Sequence, residues 1–106
     1  DLPLIIPYQF LKSYSALHLY PIQVKINKLR KNRATIFHEL RSNNIWVNVH
    51  YIPVHTHPYY KEMGFKKGDF PNSEAYYEKA ISIPIFNGMT FDQQDKVIQT
   101  LKEILL

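Results

Sequence analysis

Ile81-Ser82-Ile83-Pro84-Ile85-Phe86, then Asn87-Gly88, then Thr90-Phe91-Asp92-Gln93 opening a segment that runs to Leu106, is the stretch whose reading decides the fold. A compact apolar run broken by Pro84, a two-residue turn and an amphipathic stretch read in that order as strand, turn and helix. Thr90 with Gln93 three residues later fits a capping box, in which each side chain satisfies the other's backbone N–H. Asp92 and Asp95 fall in the first turns and Lys102 near the end, where each charge is favourable against the helix dipole. Val97, Ile98, Leu101, Ile104 and Leu105 share one helical face, which predicts a helix buried along that stripe against a sheet.

Working outward, Ile45 to Pro53 (Ile-Trp-Val-Asn-Val-His-Tyr-Ile-Pro) is dense in β-branched and aromatic residues and is the strongest strand candidate in the chain. Tyr14 to Ile26 alternates loosely and predicts another strand, in which Pro21 points to a bulge or an edge position. Between them, residues 32–41 show helical spacing, with Ile36, Phe37 and Leu40 on one stripe and Arg33, Glu39 and Arg41 outside. Asn43-Asn44 is its left-handed stop. Pro58 to Gly64 predicts one or two helical turns, with proline at the start and glycine past the end. Residues 70–80 predict a further short helix, with Asp69 or Asn72 placed to cap it. Pro3 and Pro7 around Leu4-Ile5-Ile6 make the first twelve residues an extended arm or an opening strand. The expected architecture is α/β in the α+β, two-layer sense: a small antiparallel or mixed sheet of about three strands with helices packed on one face.

The composition narrows the chemistry. At 106 residues and 12.6 kDa there is room for one core. No apolar run approaches the ~18 residues that cross a bilayer, so no membrane partner is expected. The net charge of +4 suits a cytoplasmic protein near an anionic ligand, and is too small and scattered to indicate nucleic acid. Lys25, Lys28, Arg30, Lys31 and Arg33 crowd one turn, as a phosphate patch or, the favoured reading, a solvated strand-to-helix connection. With no cysteine there is no thiolate nucleophile and no Cys-ligated metal. Gly64, Gly68 and Gly88 match neither a dinucleotide fingerprint nor a P-loop.

The conspicuous cluster is His50-Tyr51-Ile52-Pro53-Val54-His55-Thr56-His57-Pro58-Tyr59-Tyr60. Loops after rigid elements are where sites are commonly built. A zinc site from His50, His55 and His57 is disfavoured, because Pro53 and Pro58 break the strand and no carboxylate lies nearby in sequence to orient the imidazoles. No metal is therefore expected. Two readings stay open on residue types alone: recognition of a sugar, base or phosphate by imidazole and phenol groups, or tyrosines that pack and histidines that cap turns. Nothing supports a Ser-His-Asp nucleophile, and the acids are expected on helix exteriors and caps, away from acid–base work.

The cluster belongs to an ordered series: His18-Leu19-Tyr20-Pro21-Ile22, His50-Tyr51-Ile52-Pro53-Val54-His55, Pro58-Tyr59-Tyr60, Gly64-Phe65, Gly68-Asp69-Phe70-Pro71, Ser73-Glu74, Ile81-Ser82-Ile83-Pro84 and Met89-Thr90. The series resembles the C-terminal small domain of the DegT/StrS-type sugar aminotransferases, fold-type I enzymes that use pyridoxal phosphate. The pattern at residues 18–22 is close to that of the family's pseudaminic acid transaminases. The resemblance covers about Ser15 to Leu105. It implies a small domain over residues 15–106, with residues 1–14 as an arm or linker from a large domain; a start at Asp1 without an initiator Met fits a piece of a longer chain. It implies a homodimeric enzyme moving an amino group, usually from glutamate, to a keto-sugar nucleotide. The Schiff-base lysine and most cofactor groups then belong to the large domain, so this chain alone is expected to bind no cofactor, to be inactive and to hold no catalytic residue. His50, Tyr51 and His55 match the motif that faces the nucleotide sugar, and His57 and Tyr59 lie beside it; these five are the expected substrate-binding residues. A stand-alone α/β binding or regulatory module is the alternative.

Overall fold

The structure is a computed structural model and describes residues 2–106, so Asp1, the first residue of the expected arm, lies outside the described residues. Three strands, β1 (Leu4–Ile5), β2 (Tyr20–Val24) and β3 (Ala80–Ile83), form one antiparallel sheet in the order β1-β2-β3. Four helices accompany them: α1 (Arg33–Ser42), α2 (Pro58–Glu62), α3 (Pro71–Tyr77) and α4 (Phe91–Leu105), with single 3-10 turns at Ile26–Lys28 and Val54–Thr56. The chain adopts the expected α/β class, and of the antiparallel or mixed sheet of about three strands it forms the antiparallel one.

The core explains the layers. Ile22 and Val24 from β2, Ile81 from β3, Ile36 and Leu40 from α1, and Val97, Leu101, Ile104 and Leu105 from α4 form one buried cluster, completed by Ile45 and Val47. Of the helices, α1 and α4 thus each contribute one apolar stripe, at the spacing that the sequence shows. The stripe of α4 departs from expectation at one position: Ile98 stays 38% exposed, and Thr100 is buried in its neighbourhood, its hydroxyl donating to the Lys96 carbonyl at 2.8 Å. Bonding its own backbone is how a hydroxyl enters an apolar face.

The helix ends form as their residues dictate. Asn32 Oδ1 accepts from the Thr35 N–H at 2.9 Å, which makes Asn32 the cap of α1 and not its first residue. Asn44 takes φ +59 just past the last turn. Thr90 and Gln93 make the reciprocal capping box, at 3.2 and 2.9 Å. At the other end of α4, Lys31 Nζ donates to the Ile104 carbonyl at 3.1 Å and to Glu39 Oε2 at 2.7 Å. One member of the basic turn is therefore used to close a helix C-terminus. The cap expected from Asp69 or Asn72 on α3 does not form. Phe70 is the capping residue and no side chain bonds there. Pro71 has no N–H to satisfy, and Asp69 instead accepts from the Lys66 N–H at 2.9 Å inside the preceding loop.

Two strand expectations need correction. The segment 14–26 pairs only over Tyr20–Val24; residues 14–19 are exposed, and Leu17 turns with φ +49, its N–H donating to Ser15 Oγ. The segment 45–53 is not a strand at all. It touches the sheet through one antiparallel bridge, Asn48 to Ser82. Its alternation is real, with Ile45 and Val47 buried and Trp46 73% exposed. The bridge does not extend into a ladder, and the backbone groups flanking it, which point away from β3, find other partners. The Arg41 guanidinium takes the Val47 carbonyl from Nε at 3.0 Å and Nη2 at 2.6 Å, and the Val49 N–H turns to Asn48 Oδ1. The same guanidinium stacks on Trp46 and Phe37.

Pro21 sits in the central strand without breaking it. The Val24 N–H donates to the Lys79 carbonyl on the β3 side, so alternation turns the nitrogens of Pro21 and Gln23 toward β1. β1 reaches only as far as Gln23, so at Pro21 the strand has a local edge.

Leu101 is 4% exposed in the middle of this core, and Leu101→Ala is expected to cost about 2–5 kcal/mol. Urea denaturation followed by circular dichroism reads this directly, with Ile98→Ala as the half-exposed control. An unchanged midpoint for Leu101→Ala would show that the stripe is not buried.

Candidate functional site

Four of the five candidate residues lie between the Asn48–Ser82 bridge and α2, and Tyr59 is in the first turn of α2. Pro53 is buried and its carbonyl accepts from both the Thr56 N–H and the Thr56 hydroxyl, which closes the 3-10 turn Val54–Thr56. His57, at φ −72 and ψ 150, leads into α2 with Pro58 at its first position. Prolines on both sides thus make this a stiff, doubled-back segment where the sequence reading placed the end of a strand.

His50 is half-buried, with Nδ1 2.9 Å from the hydroxyl of Ser82, which is itself buried in β3. Its ring meets Tyr51 edge to face, with centroids 4.6 Å apart; the peptide between the two is cis. Tyr51 is 73% exposed. His55 is buried, with Nε2 2.8 Å from Glu74 Oε1 and its ring 4.8 Å from that of Phe70. A carboxylate can only accept, so Nε2 carries a proton in this contact. His57 is exposed and bonds no backbone as a cap. Tyr59 is 68% exposed and stands edge to face with Tyr60.

The structure therefore sorts the five into two kinds. Tyr51, His57 and Tyr59 present their side chains to the surroundings, while His50 and His55 are anchored by Ser82 and Glu74. Phenols and imidazoles held this way donate to hydroxyls or phosphate oxygens, and ring faces stack on a sugar or base. None of the five lines the apolar groove of about 350 Å3 between the sheet and α4, which is walled by Leu4, Ile6, Tyr20, Ile22, Ile83 and Ile98. Among the described residues no three His, Asp or Glu side chains come together as metal ligands.

Glu74 is the residue that the sequence reading passed over. The sequence places it among the acids on helix exteriors, with no carboxylate close in sequence to the imidazoles. In the fold its side chain is only 12% exposed, and Oε1 accepts from the Gly68 N–H at 2.7 Å as well as from His55. Gly68 takes φ +99 at that contact, in the left-handed region that favours glycine. The one available signal was Gly68-Asp69-Phe70-Pro71 ahead of Glu74, a glycine-bearing loop that turns back on the helix after it.

The Gly68 N–H above all, with the His55 imidazole and the Phe70 backbone, holds the Glu74 carboxyl below the ordinary glutamate value of 4.5, against the opposing effect of desolvation. A carboxylate lowered in the folded state stabilises the fold above its unfolded pKa, and that contribution disappears as the pH falls through the folded value. Glu74→Gln is accordingly expected to flatten the loss of stability below about pH 4.5, with little change in slope between pH 6 and 8. Urea midpoints of both proteins across this range make the comparison, and parallel acid limbs would contradict it.

The sequence profile of the DegT/DnrJ/EryC1/StrS aminotransferase family matches residues 1–102. An uncharacterized protein of Methanocaldococcus jannaschii is 47% identical over 91 residues, covering 85% of this chain and 24% of its own length. The spore coat polysaccharide biosynthesis protein SpsC of Bacillus subtilis is 39% identical over 104 residues, covering 96% of this chain and 27% of that protein. A structure described as a sugar aminotransferase of Streptococcus pneumoniae in its PLP form superposes with a TM-score of 0.84 at 26% identity, over 96% of this chain and 26% of that one. The chain spans about a quarter of the length of the relatives it matches.

Proposed function

The chain belongs to the DegT/DnrJ/EryC1/StrS aminotransferase family, and from that premise we propose that it is the small domain of a nucleotide-sugar transaminase. The observation that carries the reading is the family match over residues 1–102, nearly the whole of a chain that equals about a quarter of its relatives. The reaction is the transfer of an amino group, from glutamate, to a keto-sugar nucleotide in the cytoplasm, by a homodimer. The spore coat relative supports a sugar destined for a surface glycan. The His18-Leu19-Tyr20-Pro21-Ile22 pattern supports the keto sugar of pseudaminic acid synthesis as that substrate. Residues 1–14 would then join the large domain, with Leu4–Ile5 already paired into the small domain's sheet.

Pyridoxal phosphate is the family's cofactor, and the side chains described here do not by themselves fit it. No lysine among the described residues is buried, and Lys31 is committed to Glu39 and the Ile104 carbonyl. An amine that serves this cofactor needs its pKa lowered by burial or neighbouring cations, beside an anion cradle. The chemistry accordingly resides in the rest of the enzyme, and this chain supplies binding. Titrating pyridoxal phosphate into the isolated chain is expected to leave no stoichiometric absorbance after dialysis; retained absorbance that vanishes on replacing one lysine would refute this.

In this role Tyr51, His57 and Tyr59 contact the nucleotide sugar, and His50 and His55 hold and extend that surface. A neutral imidazole or a phenol donates to sugar hydroxyls or the diphosphate, and an exposed ring stacks on sugar or base. None of these groups is asked to move the reacting proton. Losing one therefore removes binding shared by ground state and transition state. In the full-length enzyme, His50→Ala, Tyr51→Phe and His55→Ala are expected to raise KM for the nucleotide sugar more than they slow the half-reaction with the amino donor. Lower melting temperatures with unaltered nucleotide-sugar kinetics in all three would reduce these residues to packing and capping groups.

A further inference from the structure

We infer that Glu74 is a positioning residue for the nucleotide-sugar surface, clamping His55 to the 66–70 loop and so fixing the segment from His50 to Tyr59. The inference rests on the reading of that segment as the substrate-binding wall.

One oxygen carries the clamp. Glu74 Oε1 receives the Gly68 N–H at 2.7 Å and His55 Nε2 at 2.8 Å, from two segments on either side of α2. Phe70 packs against the imidazole at 4.8 Å, so the ring is held by a hydrogen bond at one edge and by an aromatic neighbour. The site is nearly closed to water, with side chains 7% and 12% exposed. It is nonetheless separate from the hydrophobic core. Neither His55 nor Glu74 belongs to the core cluster, and α3 contributes no buried residue at all.

That separation bears on purpose. A desolvated carboxylate–imidazole pair is a poor source of net stability, because the attraction largely repays the cost of removing both groups from water. What such a pair supplies is a single geometry. A carboxylate accepting from Nε2 sets the tautomer and rotation of the ring, as partner groups do for liganding imidazoles elsewhere. His55 sits midway between Tyr51 and Tyr59, both exposed and neither fixed by a hydrogen bond of its own hydroxyl among the described residues. Holding the one-turn helix Val54–Thr56 at His55 therefore limits where both phenols point. Binding groups lose affinity when their supporting contacts let them drift by about an ångström.

Steady-state and half-reaction kinetics of the full-length enzyme test this. Glu74→Ala is expected to raise KM for the keto-sugar nucleotide roughly tenfold while leaving the amino-donor half-reaction within about twofold. Glu74→Gln keeps an acceptor oxygen in place and brings KM back to within about threefold of wild type. Glu74→Asp is one methylene short of bridging both donors and lands between. Combined with His55→Ala, Glu74→Ala adds little further, as expected of two residues acting through one contact. If the alanine variant does not fold, the difference between the Asp and Gln variants decides. A nucleotide-sugar KM unchanged in the Ala and Asp variants, an equal loss in both half-reactions, or unfolding of both variants overturns the inference and leaves Glu74 a stability residue only. If the wild-type enzyme aminates a keto-sugar nucleotide and Tyr51→Phe raises its KM while Glu74→Ala does not, this inference alone fails; if the wild type aminates none, the transaminase reading fails and takes the inference with it.

Discussion

β3 has a partner on both edges, and the rest of the chain is arranged around that fact. Along one edge it pairs with β2 over Tyr20–Gln23; along the other, Ser82 exchanges N–H and carbonyl bonds with Asn48 at 2.8 and 3.1 Å. Because both backbone groups of Ser82 face Asn48, the residue opposite it in β2 needs no N–H toward β3, and that residue is Pro21. The same serine turns its hydroxyl to His50. A four-residue strand thus closes the sheet, tolerates the proline and sets the start of the candidate surface.

Beyond that anchor the chain travels from Tyr51 to Glu78 without joining the sheet, and a different kind of contact organises it. Four aromatic side chains of this stretch, Tyr51, Tyr59, Phe65 and Phe70, stand above a third of their full area. Rings meet in a chain, Tyr59 with Tyr60, Tyr60 with Phe65, Phe65 with Phe70 and Phe70 with His55. Such contacts are individually small, and an exposed aromatic chain has little burial to hold it. Glu74 supplies what the rings lack, a directional attachment between the turn at His55 and the loop at Gly68. The segment therefore combines anchors at His50 and His55 with exposed side chains at Tyr51 and Tyr59.

The helical expectations hold because the information is local. Capping side chains, apolar spacing of 3.6 and glycine or asparagine after the last turn all act within a few residues, so α1, α2 and α4 are legible one segment at a time. The strand at residues 45–53 misleads for the same reason in reverse. Its β-branched and aromatic residues do prefer an extended, half-buried backbone, and Ile45 and Val47 are buried in one. Whether an extended segment becomes a strand depends on a partner's free edge, and here the contact with β3 stops at the single Asn48–Ser82 bridge. The candidate site divides similarly. His50, Tyr51, His55, His57 and Tyr59 stand out as residue types within one short segment, but Ser82 and Glu74, which anchor two of them, lie 32 and 19 residues away.

By itself, then, the order of residues determined the class of fold, the ends and buried faces of the main helices, the family, and the loop on which to look for binding. The tertiary structure decided which extended segments pair, why Pro21 is harmless in a central strand, and which histidines are held and which side chains are offered. The physical reason is one of range. Propensity, capping and periodicity are properties of neighbouring residues, whereas a hydrogen bond to a strand edge or a carboxylate beside an imidazole exists only once distant segments have been packed together.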